Sequence, residues 1–143
     1  MQSFDTHTAK TDCEVSLWSA KIPIISFFAV HHWFVVDDGS AIDRWEVWQS
    51  VGAGGTYWGH LHKNLMAPYV WRHNDMPQCH QRWHGSAAQQ LTDRIATSPE
   101  TYPWCHAYRY WPGPNSNTYV QWVLQKDYRL GWRAVGKQYS RLA

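Results

Sequence analysis

The sequence predicts an α+β fold, with an antiparallel β-sheet packed against helices. Three observations predict it. The first half carries a run of β-branched and aromatic residues, "SFFAVHHWFVV" (26–36), then turn residues, then a second such run. The second half holds two segments with apolar residues at helical spacing, near 85–100 and 114–127. Strands precede helices instead of alternating with them, which argues against βαβ units and a parallel sheet.

Residues 1–16 are polar and read as a loose N-terminal segment of a single domain spanning 1–143, because no linker, internal repeat or low-complexity tract interrupts the chain. "IPIISFFAV" (22–30) is too short to cross a membrane. Acidic residues precede it and bulky ones follow it, which is wrong for a signal peptide. It reads as the lead-in to a buried strand, so no transmembrane segment is expected. "DDGSAID" (37–43) supplies a reversal and "RWEVWQSV" (44–51) the returning strand, with Arg44, Glu46 and Trp48 on one face. A hairpin closed over Asp37–Ile42 pairs Val36 with Asp43 and sets Trp33 opposite Glu46, with His31 diagonal to it.

"GAGG" (52–55) is a further reversal and "TYWGHLHKNL" (56–65) a third strand. Residues 66–84 show no clean period and read as loop. "GSAAQQLTDRIATSPE" (85–100) reads as a helix capped by Ser86, with Ala87, Ala88, Leu91 and Ile95 inward and Ser98-Pro99 as its stop. "YPWCHAYRYW" (102–111) reads as a strand or an extended arm. "PNSNTYVQWVLQKD" (114–127) is a second helix with Tyr119, Trp122, Val123 and Lys126 in register, and an irregular tail follows.

Eleven tryptophans and an aromatic fraction of 16%, almost equal to the charged fraction of 17%, predict an ordered, compact chain. The net charge is +2 and the basic residues are scattered along the sequence, without the stripe of a phosphate-backbone reader, so nucleic acid is not expected as a partner. Cys13, Cys79 and Cys105 are odd in number and match neither a zinc ribbon nor a CxxC motif. A reducing compartment, the cytoplasm, is the expectation, with no cofactor.

Ser116 opens the second helix. The unpaired N–H groups and positive dipole end of a helix stabilise developing negative charge, so a serine there can act as a nucleophile. Pro, Asn, Ser and Thr in this order also make an ordinary capped helix start. The bases available to it are His31 and His32, adjacent on a strand and therefore on opposite faces; spacing does not choose between them. Glu46 or His60 can orient an imidazole, and Glu46 can equally pair with Arg44 or face water. His60-x-His62 and the i, i+4 pair His80/His84 offer zinc-type ligands, but no complete ligand string is present.

"HHWFVV", "RWEVWQ", "YPWCHAYRYWPGPNSNTY" and "AVGKQY" together resemble an uncharacterised bacterial family, domain-of-unknown-function family 3750, over about residues 29–139. The "WPGPNSNT" turn is the specific part. The resemblance puts the family's strand histidine on His31, with His32 where its proline stands. That family in turn resembles circularly permuted papain-like hydrolases (NlpC-type, PPPDE and lecithin–retinol acyltransferase-like), in which a strand histidine meets a cysteine at the start of a later helix. Serine stands here where those enzymes carry cysteine.

The resemblance implies a permuted papain-like arrangement and a hydrolase or acyltransferase acting on a peptide, amide, thioester or ester substrate. Ser116 would be nucleophile, His31 general base and Glu46 or His60 the orienting group. Asn115 and Asn117 would help at the oxyanion, and Trp33, Trp111 and Tyr119 would line the cleft. Two alternatives of different class are a catalytically inactive binding or structural module and a histidine-rich metal-binding protein.

Overall fold

The computed structural model describes residues 12–24, 27–71 and 75–143, leaving aside the side chains of 23–28. Six strands form one antiparallel sheet: β1 (Glu14–Ile24), β2 (Phe27–Asp37), β3 (Ile42–Val47), β4 (Thr56–Trp58), β5 (Leu61–Lys63) and β6 (Gln78–His84), in the order β4-β5-β3-β2-β1-β6. Two α-helices follow, α1 (Gly85–Thr101) and α2 (Ser116–Leu124), then a 3-10 helix over Lys137–Leu142. The α+β class is therefore observed. Among the described residues no helix is long and apolar enough to cross a membrane.

The hairpin register is as the turn chemistry predicts: Val36 pairs with Asp43 and Phe34 with Trp45. Asp38 closes the turn by accepting from the backbone N–H groups of Ser40 and Ala41, both at 2.8 Å. Alternation then sorts the side chains. Val15, Leu17, Phe34, Val36, Trp45 and Val47 form one apolar face, and α1 and α2 pack on it through Leu91, Ile95, Tyr119, Val120 and Val123. Each of these buried side chains contributes roughly 1.5–3 kcal/mol. Ala20, Trp33 and Val35 form the opposite face.

That second face is covered by the segment after β5. Arg44 Nη1 donates to the carbonyls of Ala67 (3.1 Å) and Val70 (2.6 Å), and Trp33 Nε1 donates to that of Pro68 (2.9 Å). The middle of the sheet, β2 with the buried part of β1 and β3, is thus covered on both sides.

Several elements differ from the sequence reading. Of the residues expected to be loose, 1–11 lie outside the described residues, but β1 begins at Glu14. β1 is a central strand between β2 and β6. It buries serines on both faces, Ser16 at 2% and Ser19 at 4% exposure, and this hides the alternation that marks a half-buried strand. Residues 78–84, read as loop, form β6. This edge strand is polar and owes its conformation to pairing with β1, for instance Leu17 with Gln81. The single strand expected at 56–65 is a small hairpin folded at Gly59, where φ is +62° and a β-carbon would strike the Cys105 carbonyl.

Helix α1 starts one residue before Ser86 and lacks a side-chain cap; Ala88, Leu91 and Ile95 face inward while Ala87 is exposed. It also runs through Pro99 to Thr101. Proline leaves the carbonyl four residues back, that of Ile95, without its usual N–H. The Ser98 hydroxyl donates to that carbonyl at 2.6 Å, so the helix continues without an unpaired buried acceptor. The stretch read as strand or extended arm, 102–111, is turns and irregular chain. Lys126 lies beyond the end of α2 and is exposed.

Candidate functional site

The start of α2 is built by asparagines. Asn115, not Ser116, is the N-cap: its Oδ1 accepts from the N–H groups of Asn117 (3.0 Å) and Thr118 (3.2 Å), and Thr118 Oγ1 accepts from the Asn115 N–H (3.0 Å). This is a capping box. The Asn115 amide then donates to the carbonyls of Tyr110 (2.9 Å) and Val135 (3.0 Å). Gly136 has φ +90°, and a β-carbon there would overlap the Asn115 amide, so glycine is required by close approach. The "PNSNT" and "AVGK" segments are thereby locked together.

Asn117 extends the lock to the sheet. Its Nδ2 donates to Val30 O (2.8 Å) and Val135 O (3.0 Å), which leaves Oδ1 as an acceptor facing His32 Nδ1 at 2.9 Å. Nδ1 of His32 must therefore carry the proton, and Nε2 keeps its lone pair. Burial disfavours the charged ring and, despite the Asn117 hydrogen bond, pushes the His32 pKa down to about 3. His32 is a fixed, neutral imidazole.

His31 points to the other face. Its Nε2 lies 2.6 Å from Glu46 Oε2, and its ring neighbours are Trp33, Trp48 and Trp71. Arg44 Nη2 donates to Glu46 Oε2 at 2.8 Å, and Arg44 Nε lies 2.8 Å from Oε1, near enough for charge pairing but not aligned as a hydrogen bond. Burial pushes the Glu46 carboxyl pKa upward, yet His31 and Arg44 together outweigh it and hold the group below the usual carboxylate range. Of the options the sequence left open for Glu46, two hold together: it meets His31 and pairs with Arg44, within a closed aromatic shell.

The predicted pairing of His31 with Ser116 is corrected by this geometry. Helix α2 packs against the face that carries His32 and Phe34, and successive strand residues point to opposite faces, so the sheet stands between His31 and Ser116. Ser116 is buried at 5% exposure, and its hydroxyl makes no hydrogen bond among the described residues. The helix-start residue that meets a strand histidine is Asn117, and the histidine is His32.

His60 is engaged elsewhere: its Nδ1 donates to Trp48 O at 2.9 Å and its ring stacks on Tyr108. The expected cleft is not assembled either. Trp33 is buried under Arg44, which lies 4.0 Å from its ring, Tyr119 is in the helix-side core, and Trp111 is 70% exposed.

The metal alternative loses its ligands. His62 Nδ1 donates to His60 O (2.7 Å) while Nε2 accepts from the Ala53 N–H (3.1 Å), so neither nitrogen is open. His80 and His84 are on a strand, where four residues span about 13 Å rather than one helical turn. Among the described residues no three His, Cys, Asp or Glu side chains converge to hold an ion.

The sequence reading missed Ser19. On the helix-side face Ser19 is the register partner of His32, and its Oγ lies 2.6 Å from His80 Nε2 on β6. Burial lowers the His80 pKa, favouring the neutral ring that can accept a proton. Ser19, His32, His80, Asp75 and Arg133 line a cavity of about 560 Å³. Asp75 is held there by the Lys21 N–H at 3.0 Å. Only the pairing of β1 with β6 brings Ser19 to His80, and the polar β6 carries no pattern that announces it.

No curated protein and no solved structure matches the chain. The family model described as "Protein of unknown function (DUF3750)" matches residues 12–139, and the chain belongs to that family.

Proposed function

We propose that the protein is a hydrolase or acyltransferase acting on an amide, thioester or ester bond, with its chemistry in the cavity beside His32. The observation that carries this reading is the 2.6 Å contact between Ser19 Oγ and His80 Nε2 at a cavity able to admit a small acyl group. In this reading His80 takes the Ser19 proton as Oγ attacks the carbonyl, then passes it to the departing amine, thiol or alcohol. Water or an acceptor nucleophile releases the acyl group from Ser19. His32, held by Asn117, fixes the polar wall.

A second reading has one observation in its favour. Asn117 fills the place at the start of α2 that faces the strand histidine, and an amide is no nucleophile. On that reading the cavity binds a peptide or acyl chain without turnover, on a papain-like scaffold.

A serine-reactive fluorophosphonate, with the labelled residue located by mass spectrometry, separates the readings. Labelling of Ser19 that is lost in Ser19→Ala and His80→Gln and kept in Ser116→Ala supports the proposal. Labelling that survives Ser19→Ala and disappears in Ser116→Ala returns the nucleophile to the helix. A folded protein that is never labelled leaves the binding reading.

A further inference from the structure

We propose that the groove between the end of α2 and the 3-10 helix is a binding site for a small organic phosphate or pyrophosphate. The groove has a volume of about 470 Å³ and is lined by Lys126, Arg129, Lys137 and Arg141 together with glutamines and Trp122; no acidic side chain is among its lining residues. The one acidic residue between 126 and 141, Asp127, is bonded to Arg94 at 2.9 Å and does not neutralise them. None of the four cations has an ion-pair partner among the described residues.

One of the four is fixed in place. Lys137 Nζ donates to the carbonyls of Leu130 (2.5 Å) and Gly131 (3.1 Å), which holds its charge beside the groove. Desolvation lowers its pKa, and the charges of Arg129 and Arg141 lower it further, so these cations repel one another. The C-terminal end of α2, at Gln125, offers roughly half a negative charge, which offsets a small part of four positive ones. A di- or polyanion relieves the remaining repulsion. Two guanidinium forks with two ammonium points match phosphate oxygens better than a single carboxylate. The groove is the size of a small-molecule site, not of a polymer track.

Arg129 lines this groove and also the Ser19–His80 cavity, so a phosphate held here lies against their common wall. The assignment does not depend on Ser19 being reactive.

Calorimetric titration with pyrophosphate at constant ionic strength tests it. We expect saturable binding at one site, a raised melting temperature, and a loss of affinity of at least about tenfold in Arg129→Gln/Arg141→Gln. Neither arginine side chain makes a hydrogen bond among the described residues, and the double variant removes part of their repulsion with Lys137, so without ligand it should melt no lower than the parent. Arg109→Gln, outside the groove, should bind normally. Equal affinity in the double variant, or an equal thermal shift with chloride at matched ionic strength, overturns the proposal. Co-sedimentation with phosphatidic acid vesicles but not phosphatidylcholine vesicles, without saturable pyrophosphate binding, overturns it in favour of a lipid headgroup at a membrane surface.

Discussion

Nδ1 of His32 lies 2.9 Å from Oδ1 of Asn117, across 85 residues of sequence, and this contact ties the middle of the sheet to the first turn of α2. The same amide also holds Val30 and Val135. Asn117→Ala removes three hydrogen bonds, one buried and two part-buried, and leaves their partners unsatisfied. It should destabilise the protein by about 3 kcal/mol or more in urea unfolding. A loss below about 1 kcal/mol would show that the asparagine is not the joint described.

His32 predicts an acid-side loss of stability. Its folded pKa, about 3, lies below the ordinary imidazole value of 6.5, so between these the unfolded chain binds a proton that the folded chain does not. Stability from this group is present above about pH 6.5 and falls as pH drops toward 3, by up to about 1.4 kcal/mol per unit. Glu46, also depressed, adds loss in the same direction only below the ordinary carboxyl value of 4.5. Burial also lowers the His62 and His80 pKa values, so unfolding free energies between pH 5 and 6.5 should slope in the parent and slope less steeply, without becoming flat, in His32→Gln.

Glu46 is fully buried between Arg44 and His31. Glu46→Gln leaves Arg44 without its counter-ion inside the protein and should cost on the order of 3–5 kcal/mol. Because this cluster is on the face away from the Ser19–His80 cavity, fluorophosphonate labelling of the remaining folded fraction should be unchanged. Loss of labelling per folded molecule would contradict the separation of the two faces.

The Ser98 hydroxyl donates to Ile95 O, so the Tyr119 hydroxyl, 2.9 Å away, must be the donor to Ser98. Tyr119→Phe removes one bond and should cost about 1 kcal/mol. Ser98→Ala strands both the Ile95 carbonyl and the Tyr119 hydroxyl, and should cost about 2–4 kcal/mol. Thermal unfolding of the two variants gives the order; a reversed order would refute the proline-bridging role of Ser98.

Much of the frame is local and therefore legible in the amino-acid sequence. The β2–β3 register follows from turn residues, so the placement of His31 diagonal to Glu46 can be read from the hairpin, while the tertiary structure settles that Glu46 meets both His31 and Arg44. Helix α2 starts where Pro, Asn and Ser stop the preceding chain, and the inward residues of α1 follow helical spacing. The chemistry of the face was not legible in the same way. Alternation says that His31 and His32 point apart, but which of them meets the helix depends on the side of the sheet that α2 covers. That side is set by packing Phe34 and Val36 against Tyr119 and Val120, a long-range choice.

The strand-then-helix order, the hairpin register and the helix start are local, since each rests on neighbours within a few residues. The tertiary structure alone decided that Asn117 rather than Ser116 faces a histidine, that Ser19 meets His80, and that Lys126, Arg129, Lys137 and Arg141 gather around one groove. The physical reason is common to all three. These contacts join segments that share no local pattern, and they form only when the buried apolar faces of sheet and helices select one packing.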